Sequence, residues 1–431
     1  MFQAKVTAAP FIQLKMKKTL NTLIEGYSPL KLKDFRIYLS GQSISMLGTW
    51  MQQTAQAWVV WELTHSELQL GIAAMLGFLP FLIFGPWSGV WADRLNRRKL
   101  LIWTQIIAMI LAFVFAFLVQ TNLISIWHIY ILAALLGIVS TLDLPAQSAF
   151  IGDLTGIQNV RKAIVINGAI IQISRMLGPA LAGWIISALG VSTAFWLNGL
   201  SFIAVILSLI AVHSTQEIHK TQHHALREFY DGLKFIKSQP IILDLLILTL
   251  VMTFFAFSAM QIMPAIATKI LHGSAGSLGL LMGSSGAGAL IGSVLVVPMT
   301  HNVRKIGILN SIAVLWAGLW LMIFSWSTNL YFSMLCLFMS ATLIPLVFTT
   351  SSGLIQVTAP PNMKGRVLSA LLIVALGVQP FASIFVGYLA HKIGPADAIL
   401  VNGTLMVIFT FILIISRKEL RRWEVTQSKS L

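Results

Sequence analysis

The chain is poor in charged residues and almost free of cysteine. Only 10% of its 431 residues are Asp, Glu, Lys or Arg, and just 14 of these are acidic, whereas charged residues make up about 25% of a soluble domain. The single cysteine, Cys336, excludes an intramolecular disulfide and lies within an apolar run, where we expect it to serve packing. With 57% hydrophobic residues and a mean hydropathy of +0.84, the composition excludes an ordinary water-soluble domain.

The sequence also lacks the short motifs of nucleotide-driven pumps and of membrane enzymes. It contains no phosphate-binding loop, no zinc-ligand spacing and no nucleophile motif. His219, His223 and His224 could bind a metal, but neighbouring histidines point in different directions on a helix, and no cysteine or carboxylate set completes a site. We therefore expect no enzymatic activity, no cofactor and no metal site.

Long apolar runs dominate what is present. Leu100–Val119 and Ala398–Ile415, for example, are long enough to cross a bilayer, which takes roughly 18 residues or more. Turn and charge signals between the runs predict an all-α membrane protein with twelve transmembrane helices. The predicted helices are 38–61, 69–92, 99–120, 126–149, 162–189, 192–213, 241–265, 277–299, 306–326, 330–352, 366–390 and 396–416.

Basic residues indicate the orientation. Of 29 Lys and Arg residues, all but three fall in the tails and in the loops that share their side of the membrane. Lys269 and Lys392 fall on the other side, and Arg175 lies within a span. Because cytoplasmic loops carry an excess of Lys and Arg, both termini are predicted to be cytoplasmic, in a multi-pass protein of the bacterial inner (plasma) membrane. The formal net charge of +15 thus comes from basic residues in the loops and tails on one side of the membrane. No nucleic-acid partner is expected, because these residues lie between hydrophobic runs and do not form a basic face.

The two halves of the chain repeat one another. Asn198-Gly199 follows Gly183 by the same spacing as Asn402-Gly403 follows Gly387, at an offset of 204 positions (387 minus 183). The polar stretch between the halves predicts a division into an N-terminal tail (1–37), a six-helix bundle (38–213), a cytoplasmic linker (214–240), a second six-helix bundle (241–416) and a C-terminal tail (417–431). Parallel six-helix pseudo-repeats place a transport pathway at their interface.

The most specific motif lies between the second and third helices. It runs Gly89-Val-Trp-Ala-Asp93-Arg94-Leu-Asn-Arg97-Arg98-Lys99 and resembles the GxxxDRxGRR/K loop of the major facilitator superfamily. Gly89 would permit close helix approach, Asp93 would meet the positive end of a neighbouring helix, and the arginines would hold the loop in the cytoplasm. An ordinary positive-inside loop is the alternative. The resemblance implies the major facilitator fold, with these residues governing conformational exchange.

Further segments resemble one branch of that superfamily, the enterobactin exporters and macrolide-efflux proteins. They are Gly41–Gln52, the stretch from Ser174 to Gly183 with Gly178-Pro179, and Gly365–Ser369. The resemblance implies export of amphipathic small molecules driven by proton exchange. Its GP…G element, Gly178-Pro179…Gly183, is similar to the antiporter motif and is assigned to conformational change.

Two ionisable residues are predicted within the spans, where an unpaired charge is costly. Arg175 lies about 20 Å along the fifth helix, and we interpret it as a candidate contact for an anionic solute. Asp143, in the fourth helix, is the candidate proton carrier. A fixed polar bridge between helices is the alternative for both. Asp244, near the start of the seventh helix, is expected to be interfacial.

Polar residues form a stripe on the first helix at steps of three and four, which predicts a face toward a wet cavity. Interhelical hydrogen bonds are the alternative. The candidate solute-binding residues, besides Arg175, are Gln42, Ser45, Thr49, Trp50, Gln52, Gln56, Ser258, Gln261 and Gln379.

The sequence thus predicts a secondary transporter that exports a small amphipathic, siderophore-like or drug-like molecule by alternating access, with proton antiport as the expected coupling. Its expected partners are the solute, protons and the lipid bilayer, and it is expected to be a monomer. Two alternatives stay open: a solute uptake permease, and a non-transporting membrane scaffold or sensor on the same fold.

Overall fold

The computed structural model describes residues 27–213, 225–300 and 303–424, without the side chains of Pro86, Val90, Ala92, Asp93, Asn362 and residues 225–229. All regular elements within this part of the chain are helical. Ten of these helices are long and apolar enough to cross a membrane. The fold is therefore the all-α membrane architecture that the sequence predicts.

We number the spanning helices in chain order. The long helix Ile126–Leu189 has two arms, α4 and α5, on either side of Gly156. The others are α1 Lys33–Thr64, α2 Glu67–Arg94, α3 Arg97–Gln120, α6 Val191–Ala211, α7 Pro240–Ile270, α8 Ala275–Met299, α9 Ile306–Ser325, α10 Leu330–Thr358, α11 Met363–Ile393 and α12 Pro395–Ser416. Short helices Ser28–Lys31 and Lys418–Arg422 flank them.

The arms α4 and α5 are two passes. A straight helix of 64 residues would be about 96 Å long, three times the hydrocarbon thickness of about 30 Å. Gly156, with φ 70° and ψ 167°, breaks the helical conformation between them. Helix α1 is not among the ten apolar helices, because the polar residues of its stripe lower its hydropathy. Dividing the long helix into α4 and α5 and adding α1 gives twelve spans. This corresponds to the predicted count, and the count stays a prediction.

The bundle has two sides, which we name from the chain ends. The termini side carries the start of α1 and the end of α12; the opposite side carries the turns between α1 and α2 and between α5 and α6. Gly190 (φ 87°) and Gly394 (φ 93°) form equivalent turns before α6 and α12, because only glycine adopts this conformation readily. Their offset of 204 positions is that of the sequence repeat.

Helix α7 is irregular. It contains π-helical turns at Thr253–Phe257 and Ile266–Ile270 and a 3₁₀ turn at Met260–Ile262. Gln379 Nε2 donates to Thr253 O at 3.4 Å, and Asn402 Nδ2 donates to Phe255 O at 3.1 Å. Side chains of α11 and α12 thereby bind carbonyls of the irregular segment, as a broken helix in a membrane requires.

Two local features add detail to the sequence-based description. The 214–240 stretch, predicted to be a cytoplasmic linker, contains an amphipathic helix at Ala225–Ser238 that packs against α11. Its three histidines at 219, 223 and 224 lie outside the described residues. Asn96 of the loop motif has φ −65° and caps α3 by accepting a hydrogen bond from Lys99 N.

Candidate functional site between the two halves

The two halves meet at two glycine crossings on the opposite side. In the α5–α8 crossing, a Cβ added to Gly183 would lie 3.0 Å from Gly279 Cα; in the α2–α11 crossing, a Cβ added to Gly71 would lie 3.1 Å from Gly387 Cα. Such backbone contact is possible only without side chains. The sequence repeat relates the crossings, since α2 corresponds to α8 and α5 to α11. A second glycine of α8 also packs against α5, since a Cβ added to Gly283 would lie 3.0 Å from Met176 O.

Toward the termini side these helix pairs separate. A Cβ added to Gly89 of α2, Gly168 of α5 or Gly365 of α11 would meet no atom within 4 Å. Among the described residues, the interface is therefore closed on the opposite side and open on the termini side. No described atom lies close to Gly89 in this conformation, so close helix approach at Gly89 stays a prediction.

Arg175 lies in α5 beside the central interface. Its Cζ is 5.8 Å from the ring centroid of Trp50 in α1 and 5.2 Å from that of Phe257 in α7. Both separations are within the range of cation–π attraction. Trp50 and Arg175 belong to the N-terminal half and Phe257 to the C-terminal half, so the guanidinium is in contact with both.

The aromatic contacts leave the hydrogen-bonding capacity of Arg175 unused. A guanidinium has five N–H donors, and within the described part of the chain the Arg175 side chain has no ion pair and no hydrogen-bond partner. A cavity of about 10 Å³ adjoins it, lined by Ser285, Ser340 and apolar side chains including Met260. This is room for about one water molecule. The site thus combines unsatisfied donors, aromatic rings and hydroxyls.

Asp143 lies in α4 and is buried within the N-terminal half. Its Oδ1 accepts hydrogen bonds from Thr104 Oγ1 at 2.6 Å and Gln105 Nε2 at 3.0 Å, and its Oδ2 accepts one from Gln147 Nε2. All three donors are neutral and lie on α3 or α4. The structure therefore places Asp143 and Arg175 in separate surroundings.

Two residues of the polar stripe of α1 form hydrogen bonds to other helices in this conformation. Ser45 Oγ donates to Gln105 Oε1 at 3.4 Å, and Gln52 Oε1 accepts from Asn198 Nδ2 of α6 at 2.7 Å. Thr49 bonds to the carbonyl of Ser45 in its own helix. Gln42 is buried and Gln56 is partly exposed. These contacts favour the packing alternative for Ser45 and Gln52.

Two candidates of the second half, Ser258 and Gln379, likewise form hydrogen bonds between helices. Ser258 Oγ accepts a hydrogen bond from Asn402 Nδ2 at 3.1 Å. Gln379 is buried against α7 and its Oε1 has no partner in the described structure, while Gln261 is partly exposed. Asn402 thus bonds to α7 as Asn198, 204 positions earlier, bonds to α1. These partner residues were visible in the sequence as a repeat, although their contacts were not.

The loop motif holds the N-terminal half together on the termini side. Arg97 forms an ion pair of 2.7 Å with Asp153 at the end of α4, and Arg98 donates to the carbonyls of Leu209 and Ile210, which lack amide partners at the end of α6. Arg94 is exposed. The side chain of Asp93 lies outside the described part. Gly178, the first residue of the GP…G element, packs against Trp50, and Pro179 packs against Gly279 of α8.

Comparison with known proteins decides the family. The model of a family described as transmembrane secretion effectors, within the major facilitator superfamily, matches residues 24–431. The chain belongs to this family. Its fold and relatives are those of transporters, and no catalytic activity is indicated.

Relatives of this transporter match it over nearly its whole length. An uncharacterised major facilitator-type transporter, YfiS of Bacillus subtilis, is 27% identical over 92% of this chain and 96% of its own. Macrolide efflux protein A of Streptococcus pyogenes is 23% identical over 89% and 96%, and the staphyloferrin A transporter of Staphylococcus aureus is 25% identical over 90% and 97%. The fold is similar to that of the nucleoside transporter NupG, with a TM-score of 0.67 at 11% identity, covering 91% of this chain and 100% of NupG.

Proposed function

We propose that this transporter exports a small amphipathic molecule carrying an oxyanion, by alternating access and in exchange for protons, across the bacterial inner membrane. The proposed orientation has both termini in the cytoplasm, so that the structure corresponds to an inward-open conformation. The observation that carries the proposal is Arg175, a membrane-embedded cation with aromatic neighbours and unsatisfied donors. Export is supported by a relative named for macrolide efflux.

The chemistry of Arg175 selects the solute class. A guanidinium binds carboxylate or catecholate oxygens through paired N–H donors, and it cannot lose its proton at accessible pH. Trp50 and Phe257 supply apolar surface beside it, which suits the hydrocarbon part of an amphipathic solute. Because the adjoining cavity holds only about one water molecule, solute binding requires the side chains around it to rearrange.

Asp143 is the proposed proton carrier. It is a buried carboxylate whose donors are all neutral, so no fixed cation holds it in the ionised form. A proton moving down 100 mV supplies about 2.3 kcal/mol, which is enough to drive useful accumulation.

Transport into everted vesicles tests the solute assignment. The probe pair is one amphipathic compound with a free carboxylate and its neutral methyl ester. Arg175→Lys keeps the positive charge but loses the planar guanidinium, whose paired N–H donors can bind both oxygens of a carboxylate. It should therefore lower the carboxylate-to-ester transport ratio. Arg175→Gln removes a charged hydrogen bond of about 1.5–3 kcal/mol, and should lower the ratio by roughly 10- to 150-fold. Lys392→Gln, which neutralises an exposed cation, is the matched control.

Two results would contradict the proposal. If folded Arg175 variants keep the wild-type carboxylate-to-ester ratio, Arg175 is a structural bridge between helices. If the solute accumulates in right-side-out vesicles and not in everted ones, the protein is an uptake permease.

A further inference from the structure

A buried carboxylate on the opposite side joins the two halves. Glu67 is the first residue of α2, and its side chain is 3% exposed. Its Oε1 accepts a hydrogen bond from Lys269 Nζ at 2.7 Å, and its Oε2 lies 4.0 Å from His391 Nδ1. Lys269 lies at the end of α7 and His391 near the end of α11. Both partners therefore belong to the C-terminal half.

Lys269 makes a second contact with the N-terminal half. Its Nζ lies 5.2 Å from the ring centroid of Trp61 in α1, so the ammonium is near both a carboxylate and an aromatic ring. The adjoining glycine crossing continues this contact, since a Cβ added to Gly387 would lie 2.7 Å from Glu67 O. The ion pair, the contact of Lys269 with Trp61 and the α2–α11 glycine crossing thus lie together where the interface is closed.

Among the residues that the structure describes, the other ion pairs seen do not join the two halves. Arg97–Asp153 joins two segments of the N-terminal half, and Arg417–Asp244 joins two segments of the C-terminal half. When two halves move as rigid bodies, a pair within one half is present in both conformations. Only an interaction that differs between conformations shifts their populations.

We infer that Glu67 and Lys269 form an ionic gate, which holds the opposite side closed and must break each time the transporter opens there. Glu67 is almost fully buried, so removing Lys269 leaves a desolvated carboxylate that gains by reaching water. Removing Glu67 abolishes the attraction directly. Either change should therefore favour the conformation that is open on the opposite side. The inference concerns the conformational step and does not depend on which solute is carried.

Labelling of a single buried cysteine tests the gate without any solute. The reporter is Ala275→Cys in a Cys336→Ser background; Ala275 is 3% exposed and its carbonyl packs against Gly183 in the α5–α8 crossing. A membrane-impermeant maleimide is added from the opposite side. Glu67→Gln and Lys269→Gln should each raise the labelling rate by about fivefold or more, the lower end of typical conformational coupling.

Two further variants make the result specific. Glu62→Gln is the matched control, because Glu62 lies on the same side but accepts its hydrogen bond from Trp58 of its own helix. The double variant Glu67→Gln/Lys269→Gln should label no faster than either single variant, since both remove one interaction. The inference is overturned if Glu67→Gln and Lys269→Gln label like Glu62→Gln, or if their effects multiply in the double variant. Because Lys269 is half exposed, its replacement keeps the test available should Glu67→Gln fail to fold.

Discussion

Replacing Gly183 with alanine should shift the transporter away from the conformation seen here. The added Cβ would lie 2.6 Å from Ala275 O, 3.0 Å from Gly279 Cα and 3.1 Å from Gly276 Cα, all of them backbone atoms that cannot move aside cheaply. Overpacking of this kind costs about 1–3 kcal/mol. The crossing exists only while the opposite side is closed, so the whole cost falls on that conformation. The population ratio should change by roughly 5- to 150-fold.

A distance measurement between spin labels reports this shift. Leu123, in the turn between α3 and α4, and Tyr331, at the start of α10, are 61% and 77% exposed on the opposite side of different halves. Labels attached to cysteines at these positions, in a Cys336→Ser background, should show a larger long-distance fraction in Gly183→Ala than in the parent protein.

The control is Gly168→Ala, in the same helix but facing open space. Alanine improves helix propensity by about 1 kcal/mol at either position and in both conformations, so this contribution cancels. Indistinguishable distance distributions for Gly183→Ala and Gly168→Ala would refute the conclusion that the glycine crossing closes the opposite side.

Two other predictions concern residues of the transport cycle. Asp143→Asn should make the transport rate insensitive to an imposed pH gradient while the protein stays folded, because the amide oxygen still accepts from Thr104 and Gln105; a rate that still follows the gradient would exclude Asp143 as the carrier. Asp93→Asn should slow turnover and leave solute affinity nearly unchanged, since the residue lies in the loop motif away from Arg175. Loss of affinity at normal turnover, measured by equilibrium binding and single-turnover flux, would assign Asp93 to the solute site.

The fold class and the family were predictable because both depend on local composition and short motifs. Apolar runs long enough to cross a bilayer, and a Gly-Asp-Arg-Arg loop after the second run, need no knowledge of neighbours. The repeat also predicted equivalent positions: Asn198 and Asn402 each bond to the first helix of their half. Helix ends were less well predicted, since α1 begins at Lys33 and a helix occupies part of the linker.

The contacts of the candidate site came only from the tertiary structure. The stripe of α1 predicted a wet face, yet Ser45 and Gln52 bond to neighbouring helices, because a three- and four-residue spacing defines a face but not what lies opposite it. Arg175 was visible as an intramembrane charge, whereas its neighbour Phe257 gave no signal in the sequence. Glu67 and Lys269 are 202 residues apart and resemble ordinary charges at helix ends. Their pairing depends on how each helix is rotated and how the two halves meet, and packing between distant segments decides both.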